Sequence, residues 1–423
     1  MERVIDRPRI LFLWPPELPY DLTLHYHYTL FGETAAYFKD KLDVDIFDGG
    51  VLAHLKSDFI KKTLSKYDYM AIYTQVQNTH SAIQAAQTVK EITPDTKILG
   101  YGPSCMYVPQ FFKRHPFDGY VWGGDPELAI ESYINFAEGA APKNSLAGVV
   151  DNNDGIKNKQ KFLEPELWAF PPLDMLPLES YDNIVRKKTI RRFGESQISV
   201  TASRGCPYNC DFCFASLMFG KKDRRRPVGQ LVEFISKNRD KFNSIQMFSP
   251  NFTFNRSWVL SLCQELLAKN IRIKWRCTTR AELLDQELVK IMARAGCESV
   301  GIGVETLSTS IQQNIHKVQD ENMVTGAIKM LAKEGINAKG YIMIGLPGQT
   351  KKDIYETIKI IETAGGEVRP SSYSPYQDLS GESTLSDISA MNRFTYQTGS
   401  VQGMTPPEYL NIIFNRDYSG NED

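Results

Sequence analysis

The chain lacks an excess of charge of either sign. Its 49 basic residues nearly balance 50 acidic ones, for a net charge of −1. Nothing in that balance draws it to nucleic acid or to an anionic membrane. No apolar run is long enough to span a bilayer. The opening residues Met1-Glu2-Arg3-Val4-Ile5-Asp6-Arg7 lack the apolar centre of a secretory signal. No internal repeat is present, and a composition of 42% hydrophobic and 23% charged residues excludes a disordered chain. Cysteine is sparse, at 7 residues. An odd count without a signal peptide speaks against a disulfide framework and for a reducing cytoplasm. Histidine is rarer still, at 6. His25 and His27 would share a face of an extended segment, more simply as a solvated pair than as a metal site. His80 reads as a surface residue at a helix start, with an approach to a bound cofactor as the alternative.

Within that sparse set, three cysteines stand together. Cys206, Cys210 and Cys213 lie in Ser203-Arg204-Gly205-Cys206-Pro207-Tyr208-Asn209-Cys210-Asp211-Phe212-Cys213. Iron–sulfur clusters are normally held by four thiolates. Three at this spacing hold a cluster and leave one iron open to a substrate or cosubstrate. A structural zinc ion wants four closed ligands, usually two spaced pairs. No second pair exists, because Cys105, Cys263, Cys277 and Cys297 are scattered singly.

The first third of the chain alternates short apolar runs with helical patterns. Strands are expected at Ile10–Leu13, Val44–Phe47, Tyr69–Tyr73, Lys97–Leu99 and Gly119–Trp122, and helices at Ser81–Glu91 and Glu127–Phe136. Asn78, Thr79 and Ser81 are candidate caps for the first helix. Such alternation predicts an α/β fold with a doubly wound, Rossmann-like parallel sheet. Ligands of such sheets sit beyond the carboxyl ends of the strands. The loops at 14–20, 73–80, 100–107 and 122–127 are therefore one candidate rim, with ordinary turns as the alternative.

Residues 141–195 read as a proline-rich connector between that domain, residues 1–140, and a second one over 196–380. Alternation resumes there. Strands are expected at Ile198–Ala202, Ile245–Phe248, Ile271–Cys277, Ser299–Gly303, Lys339–Ile344 and Val368–Tyr373. Helices are expected at Trp258–Lys269, Asp285–Ala295, Glu321–Glu334 and Lys352–Ala364. Asp285 caps the second of these, over an apolar stripe of Leu288, Val289, Ile291 and Met292. Six strand–helix units predict a partial (β/α)6 barrel of the TIM type, whose active sites lie at the carboxyl ends of the strands. The cysteine loop directly follows the first of those strands. The tail, 381–423, is polar, with one short helix expected to start within Met404–Leu410.

These residues resemble the radical S-adenosylmethionine (SAM) enzymes, and within them the branch with an N-terminal cobalamin-binding domain. The resemblance rests on the cysteine loop and on Asn251-Phe252-Thr253-Phe254, Trp275-Arg276-Cys277-Thr278-Thr279-Arg280, Ala295-Gly296-Cys297, Gly303-Val304-Glu305-Thr306 and Gly345-Leu346-Pro347-Gly348-Gln349-Thr350. It implies a 4Fe–4S cluster on Cys206, Cys210 and Cys213, with SAM chelated to the open iron. One electron then splits SAM into methionine and a 5′-deoxyadenosyl radical. It further implies cobalamin in the first domain, carrying a methyl group to the substrate radical. The expected activity is that of a methyltransferase acting on an unactivated carbon. The alternative is a radical SAM enzyme that does not methylate, its first domain altered or empty. A non-catalytic cluster protein is the remaining reading, and the open iron position argues against it.

Carried onto this sequence, the resemblance places Phe212 against the adenine. Glu305 contacts the polar groups of SAM, or else forms a structural ion pair. Arg280 reaches the SAM carboxylate or the substrate, or else pairs with Glu282 or Asp285. Gly345, Leu346 and Pro347 let the backbone approach SAM, or else form a tight turn. Candidate cobalamin contacts are Pro15, Pro16, Thr74, Gln75, Gly102, Pro103, Gly123, Gly124 and Glu127.

Three departures stand out. Ser249-Pro250 occupy positions where related enzymes carry acidic residues. The Asp-x-His-x-x-Gly motif of classical cobalamin domains is absent, and His54 after Asp48-Gly49-Gly50 has the wrong spacing. The chain is short after the last barrel strand. The basic run Lys221-Lys222-Asp223-Arg224-Arg225-Arg226 is expected to be a solvated face. Docking of an acidic electron donor such as flavodoxin or ferredoxin, or binding of a phosphate, is the alternative. The substrate is expected to be a small molecule.

Overall fold

The computed structural model describes residues 7–15, 28–49, 66–152, 158–178, 197–391 and 401–414. Pro16, His25, His27 and His54 lie outside these residues. The chain divides into two compact units, each drawing on more than one part of the sequence. The first comprises Met1–Pro207, Phe214–Arg226 and Tyr376–Ser389, and the second Tyr208–Cys213, Pro227–Pro375 and Ala390–Asp423.

The first unit is built on a six-stranded sheet. Its strands are β1 (Arg9–Trp14), β2 (Asp43–Asp48), β3 (Tyr69–Tyr73), β4 (Lys97–Tyr101), β5 (Gly119–Val121) and β6 (Val149–Asp151), in the order β2-β1-β3-β4-β5-β6. The first five are parallel and β6 closes the edge antiparallel to β5. All five residues of β3 are buried, as expected for a strand covered on both faces. Helices Thr79–Ile92 and Pro126–Ala137 follow β3 and β5. The second opens on Pro126, whose fixed φ and missing N–H suit the first helical position. Leu11, Met70, Ile72, Ile83, Ala86 and Phe112 form the centre of the core. The strand order reverses direction between β1 and β3, and a sheet of this type places its ligand at that switch point. Three further strands belong to this unit: β7 (Gln197–Thr201), β8 (Ser203–Arg204) and β9 (Arg224–Arg225).

The second unit carries five parallel strands in chain order: β10 (Ser244–Phe248), β11 (Lys274–Thr279), β12 (Cys297–Glu305), β13 (Asn337–Ile344) and β14 (Glu367–Ser372). Each strand lies beside its neighbour in sequence, with a helix between, which is the construction of a (β/α) barrel segment. Polar caps start the connecting helices. Asn255, Asp285 and Asp320 each accept a backbone N–H, and Thr350 with Asp353 forms a reciprocal capping box. The helix Val228–Asn238 was not expected. Its buried face is only Leu231, Val232 and Ile235, and Pro227 opens it without a side-chain cap. The short helix expected to start within Met404–Leu410 runs over Pro406–Phe414. Among the described residues no helix is long and apolar enough to cross a membrane.

Candidate functional site

The cysteine loop leaves β8 and returns through β9, and these two short strands pair antiparallel at Ser203↔Arg225 and Arg204↔Arg224. Gly205 has φ +91, and a Cβ there would collide with the Lys222 carbonyl oxygen, so only glycine fits the entry to the loop. The next residue, Cys206, is buried, and its N–H donates to the Gly220 carbonyl at 3.0 Å. Cys210 is half-buried and Cys213 exposed, joined by a hydrogen bond from Cys213 N–H to Cys210 O at 3.0 Å. All three thiols are free of disulfides.

Cations surround Cys210. Arg280 Nη1 stands 3.7 Å from its Sγ, and the guanidinium lies over the Tyr208 ring at 4.2 Å. Burial pushes the Cys210 thiol up, while the positive charges of Lys317 and Arg280 pull it back down. Adjacent cations are what a thiolate ligand needs, because the thiolate and not the thiol binds metal. A cluster therefore fits this loop. Among the described residues, no three His, Cys, Asp or Glu side chains gather closely enough to enclose a single metal ion. Arg280 also pairs with Glu282, the ionic alternative expected from its sequence neighbours.

The residue between Cys210 and Cys213 that was expected at the adenine, Phe212, packs with Met343 and Tyr373 around the buried Ile311, Ile315 and Leu346. Asp211 fixes the loop from the other side. Its N–H donates to Ile315 O at 3.3 Å, and its carboxylate meets His316 Nδ1 at 2.8 Å. Glu305 ends β12 just past a bulge in its pairing with β13, and it holds a left-handed φ of +62. Such a φ is strained for a residue with a Cβ, and strain of this kind gathers at functional sites. Its carboxylate accepts from Lys317 Nζ at 2.8 Å, with both side chains buried. Lys317 also stands 5.7 Å from the centre of the Phe212 ring. Sequence reasoning missed Lys317; no local pattern marks it.

Gly345 and Leu346 begin a turn closed by Gln349. The Gln349 Oε1 accepts from both N–H groups, at 2.8 and 3.2 Å, and its Nε2 donates to Met343 O at 3.0 Å. Leu346 is buried and Pro347 exposed. The missing acids after β10 are replaced by a neutral network: Thr279 Oγ1 donates to Asn251 Oδ1 at 2.8 Å and meets Thr253 Oγ1 at 2.5 Å.

On the rim of the first sheet, Thr74 is buried and its hydroxyl donates to Tyr101 O at 3.0 Å. Gly102 has φ +109, and a Cβ there would lie 2.5 Å from Thr74 O. The backbones after β3 and β4 thus touch at a point only glycine allows. Gln75 N–H donates to Asn78 Oδ1 at 2.8 Å, and Pro103 opens the short helix Pro103–Tyr107. Pro15, Gly123 and Gly124 are buried, and His80 is exposed. Trp14 and Tyr73, from the ends of β1 and β3, stack at 4.2 Å across the switch point. Two buried donors there, Asn78 Nδ2 and Tyr101 Oη, have no hydrogen-bond partner among the described residues. Burying such groups unpaired is costly, so a ligand rich in acceptors fits this rim. Glu127 is also fully buried, but both its oxygens accept from Arg204, at 3.0 and 2.7 Å.

The basic run corrects an expectation. Lys221 and Lys222 are exposed, but Arg224 and Arg226 are buried. Arg224 grips Asp125 at 2.6 and 3.0 Å, and Arg226 reaches Glu33 at 3.5 Å. The run is not a solvated face, because carboxylates distant in sequence meet it inside the unit.

Residues 200–361 match the model of the radical SAM superfamily, so the chain carries a radical SAM domain. An uncharacterised methyltransferase of Pyrococcus horikoshii is 27% identical over 331 residues, covering 77% of this chain and 71% of that protein. The anaerobic magnesium-protoporphyrin IX monomethyl ester cyclase of Rubrivivax gelatinosus is 23% identical over 332 residues. That match covers 74% of this chain and 58% of the cyclase, so less than two thirds of that relative is spanned. A solved structure of the radical SAM methyltransferase TsrM from Kitasatospora setae, with cobalamin and a 4Fe–4S cluster bound, is similar in fold. Its TM-score is 0.69 at 13% identity, covering 88% of this chain and 77% of that one.

Proposed function

We propose that this radical SAM chain is a cobalamin-dependent methyltransferase acting on an unactivated carbon of a small molecule. The reading is carried by the cysteine loop: three disulfide-free cysteines, with a guanidinium 3.7 Å from Cys210 Sγ, inside the segment that matches the superfamily. When bound, the cluster supplies the electron that splits SAM reductively, and the corrinoid supplies the methyl group.

The chain's own residues hold, orient and shield. Cys206, Cys210 and Cys213 are the cluster ligands. Arg280 and Lys317 offset the negative charge of the thiolates. Phe212 offers a half-buried face to the adenine, backed by Ile311, Ile315 and Leu346, which keep water from it. Glu305, aimed by its strained backbone, takes the SAM amine, and the Gly345-Leu346-Pro347 turn lies along the nucleoside. Pro15, Pro16, Thr74, Gln75, Gly102, Pro103, Gly123 and Gly124 form the corrinoid rim of a first domain over residues 1–140, joined by 141–195 to the barrel over 196–380. Asn78 is added to that rim by its amide nitrogen, which has no partner among the described residues. The work is cytoplasmic, with flavodoxin or ferredoxin as electron donor.

The test is anaerobic purification with hydroxocobalamin, followed by SAM and dithionite. A corrinoid band surviving gel filtration, with both S-adenosylhomocysteine and 5′-deoxyadenosine formed, supports the reading. No 5′-deoxyadenosine above a Cys210→Ala control overturns it. The likeness to the Rubrivivax gelatinosus cyclase supports a second reading, a radical SAM enzyme that does not methylate. That reading predicts 5′-deoxyadenosine without S-adenosylhomocysteine.

A further inference from the structure

Four arginines flank the cysteine loop, and none is in solvent; Arg225 pairs locally with Asp223, and the other three reach carboxylates distant in sequence. Arg204 stands two residues before Cys206. Arg224 and Arg226 stand on the returning side, with Arg224 directly opposite Arg204 in the β8–β9 pairing. Their partners are three carboxylates: Asp125, which ends the loop after β5, Glu127, in the first turn of the helix Pro126–Ala137 that follows, and Glu33. Glu33, Asp125, Glu127, Arg204 and Arg226 are 0% exposed and Arg224 is 9% exposed. Three positive charges meet three negative ones, so the group is neutral as a whole. Aromatic rings wall it in: Phe170 lies 3.9 Å from Arg226, and Trp168 lies 4.8 Å from Arg204. Asp125 further accepts Leu163 N–H at 2.8 Å, while Arg224 donates to Leu163 O at 2.8 Å.

Buried ion pairs are a poor way to add stability, because desolvation consumes most of the attraction, and apolar residues of like volume often serve as well. What a fork of two N–H groups on a carboxylate does supply is fixed distance and fixed orientation. Here the fixed objects are the base of the cysteine loop and the start of the helix Pro126–Ala137 with the loop that leads into it from β5, on the rim expected to hold the corrinoid. We infer that Glu127 is a positioning residue for the cluster loop, acting through Arg204, with Asp125 acting in the same way through Arg224. The two loops move as one piece, so the rim sets how Cys206 is presented. This rests on the reading that the three cysteines hold the cluster.

The test uses the full chain, reconstituted anaerobically with iron and sulfide, as wild type, Glu127→Gln, Arg204→Lys and Asp151→Asn. Asp151 is a control: it is a buried carboxylate on β6 that pairs with Lys143. The readouts are melting temperature, the EPR spectrum of the reduced cluster, and the SAM concentration that half-converts that spectrum. Loss of partners behind a metal ligand typically weakens a site about 10- to 100-fold. Glu127→Gln and Arg204→Lys are expected to raise the half-converting SAM concentration at least about tenfold and to alter the EPR line shape. Asp151→Asn lowers the melting temperature and leaves both unchanged. Folded Glu127→Gln with wild-type EPR and SAM response overturns the inference. If Glu127→Gln does not fold, Arg204→Met with Glu127→Leu removes both charges together and is read the same way, with the same outcome overturning it. A wild-type chain that takes up no iron overturns the functional reading and this inference with it. A wild type that responds to SAM alongside variants that respond equally overturns this inference alone.

Discussion

Lys317 Nζ donates to Glu305 Oε1 at 2.8 Å, with the two side chains only 6% and 9% exposed. The pair ties the strained end of β12 to the segment that holds Asp211 and faces Phe212. Removing one member strands the other charge where water does not reach it. Lys317→Met is therefore expected to cost roughly 3–5 kcal/mol, the usual penalty for a broken buried pair. Lys317→Met combined with Glu305→Gln is expected to recover most of that loss. Urea denaturation of the three proteins measures it, and a Lys317→Met chain as stable as wild type would show that the lysine is dispensable.

The cysteines are expected to fall into two classes by loss of iron. Alanine at Cys206, Cys210 or Cys213 removes the cluster and all 5′-deoxyadenosine formation. Alanine at Cys105 or Cys263 keeps the iron, since both thiols are fully buried and outside the triplet. Deleting such a buried sulfur costs about 1 kcal/mol or more of stability instead. Iron analysis after desalting separates the classes.

Gly102→Ala tests the rim. The added methyl would meet Thr74 O at 2.5 Å, in a backbone conformation with φ +109. Strain of this kind costs on the order of 1–3 kcal/mol. The carbonyl must retreat, and Asn78 and Tyr101 stand on the same rim. The expected outcome is a lower melting temperature and loss of the corrinoid band on gel filtration. A variant that keeps its corrinoid would remove Gly102 from the binding surface.

The helix Pro406–Phe414 carries a pH-sensitive contact. Glu408 accepts from Lys351 and from the Thr405 N–H, the latter at 2.8 Å. Chiefly the Lys351 hydrogen bond lowers its carboxyl from 4.5 to about 2. A depressed acid adds stability that is present above its unfolded pKa and lost as pH falls through its folded one. The contribution is therefore complete above pH 4.5 and disappears towards pH 2. The melting temperatures of wild type and Glu408→Gln are expected to differ at neutral pH and to converge across that window. Because the pair is exposed, the difference is small and shrinks with salt.

Much of this molecule was readable from neighbours along the chain. Asp285 caps its helix, and Leu288, Val289 and Met292 are buried beneath it. Those features depend on a period of 3.6 residues and on hydrogen bonds three residues long. The expected strands likewise match β1–β5 and β10–β14 to within a few residues at their ends. The cysteine triplet stood out because its spacing sets three thiols on a single loop, the pattern a cluster would need.

Other features had no local signature. Lys317 lies twelve residues beyond Glu305, and the bulge that turns the glutamate is a property of strand pairing. The run from Lys221 to Arg226 looks solvated because its partners, Glu33 and Asp125, are far away in sequence. The sequence by itself determined which segments would alternate and where three thiols would stand together on one loop. Only the tertiary structure decided which arginines are buried, which carboxylates neutralise them, and that Glu127 grips Arg204. The reason is physical: periodicity and caps act over a single turn or strand, whereas the burial of a charge depends on an opposite charge brought to it by the fold.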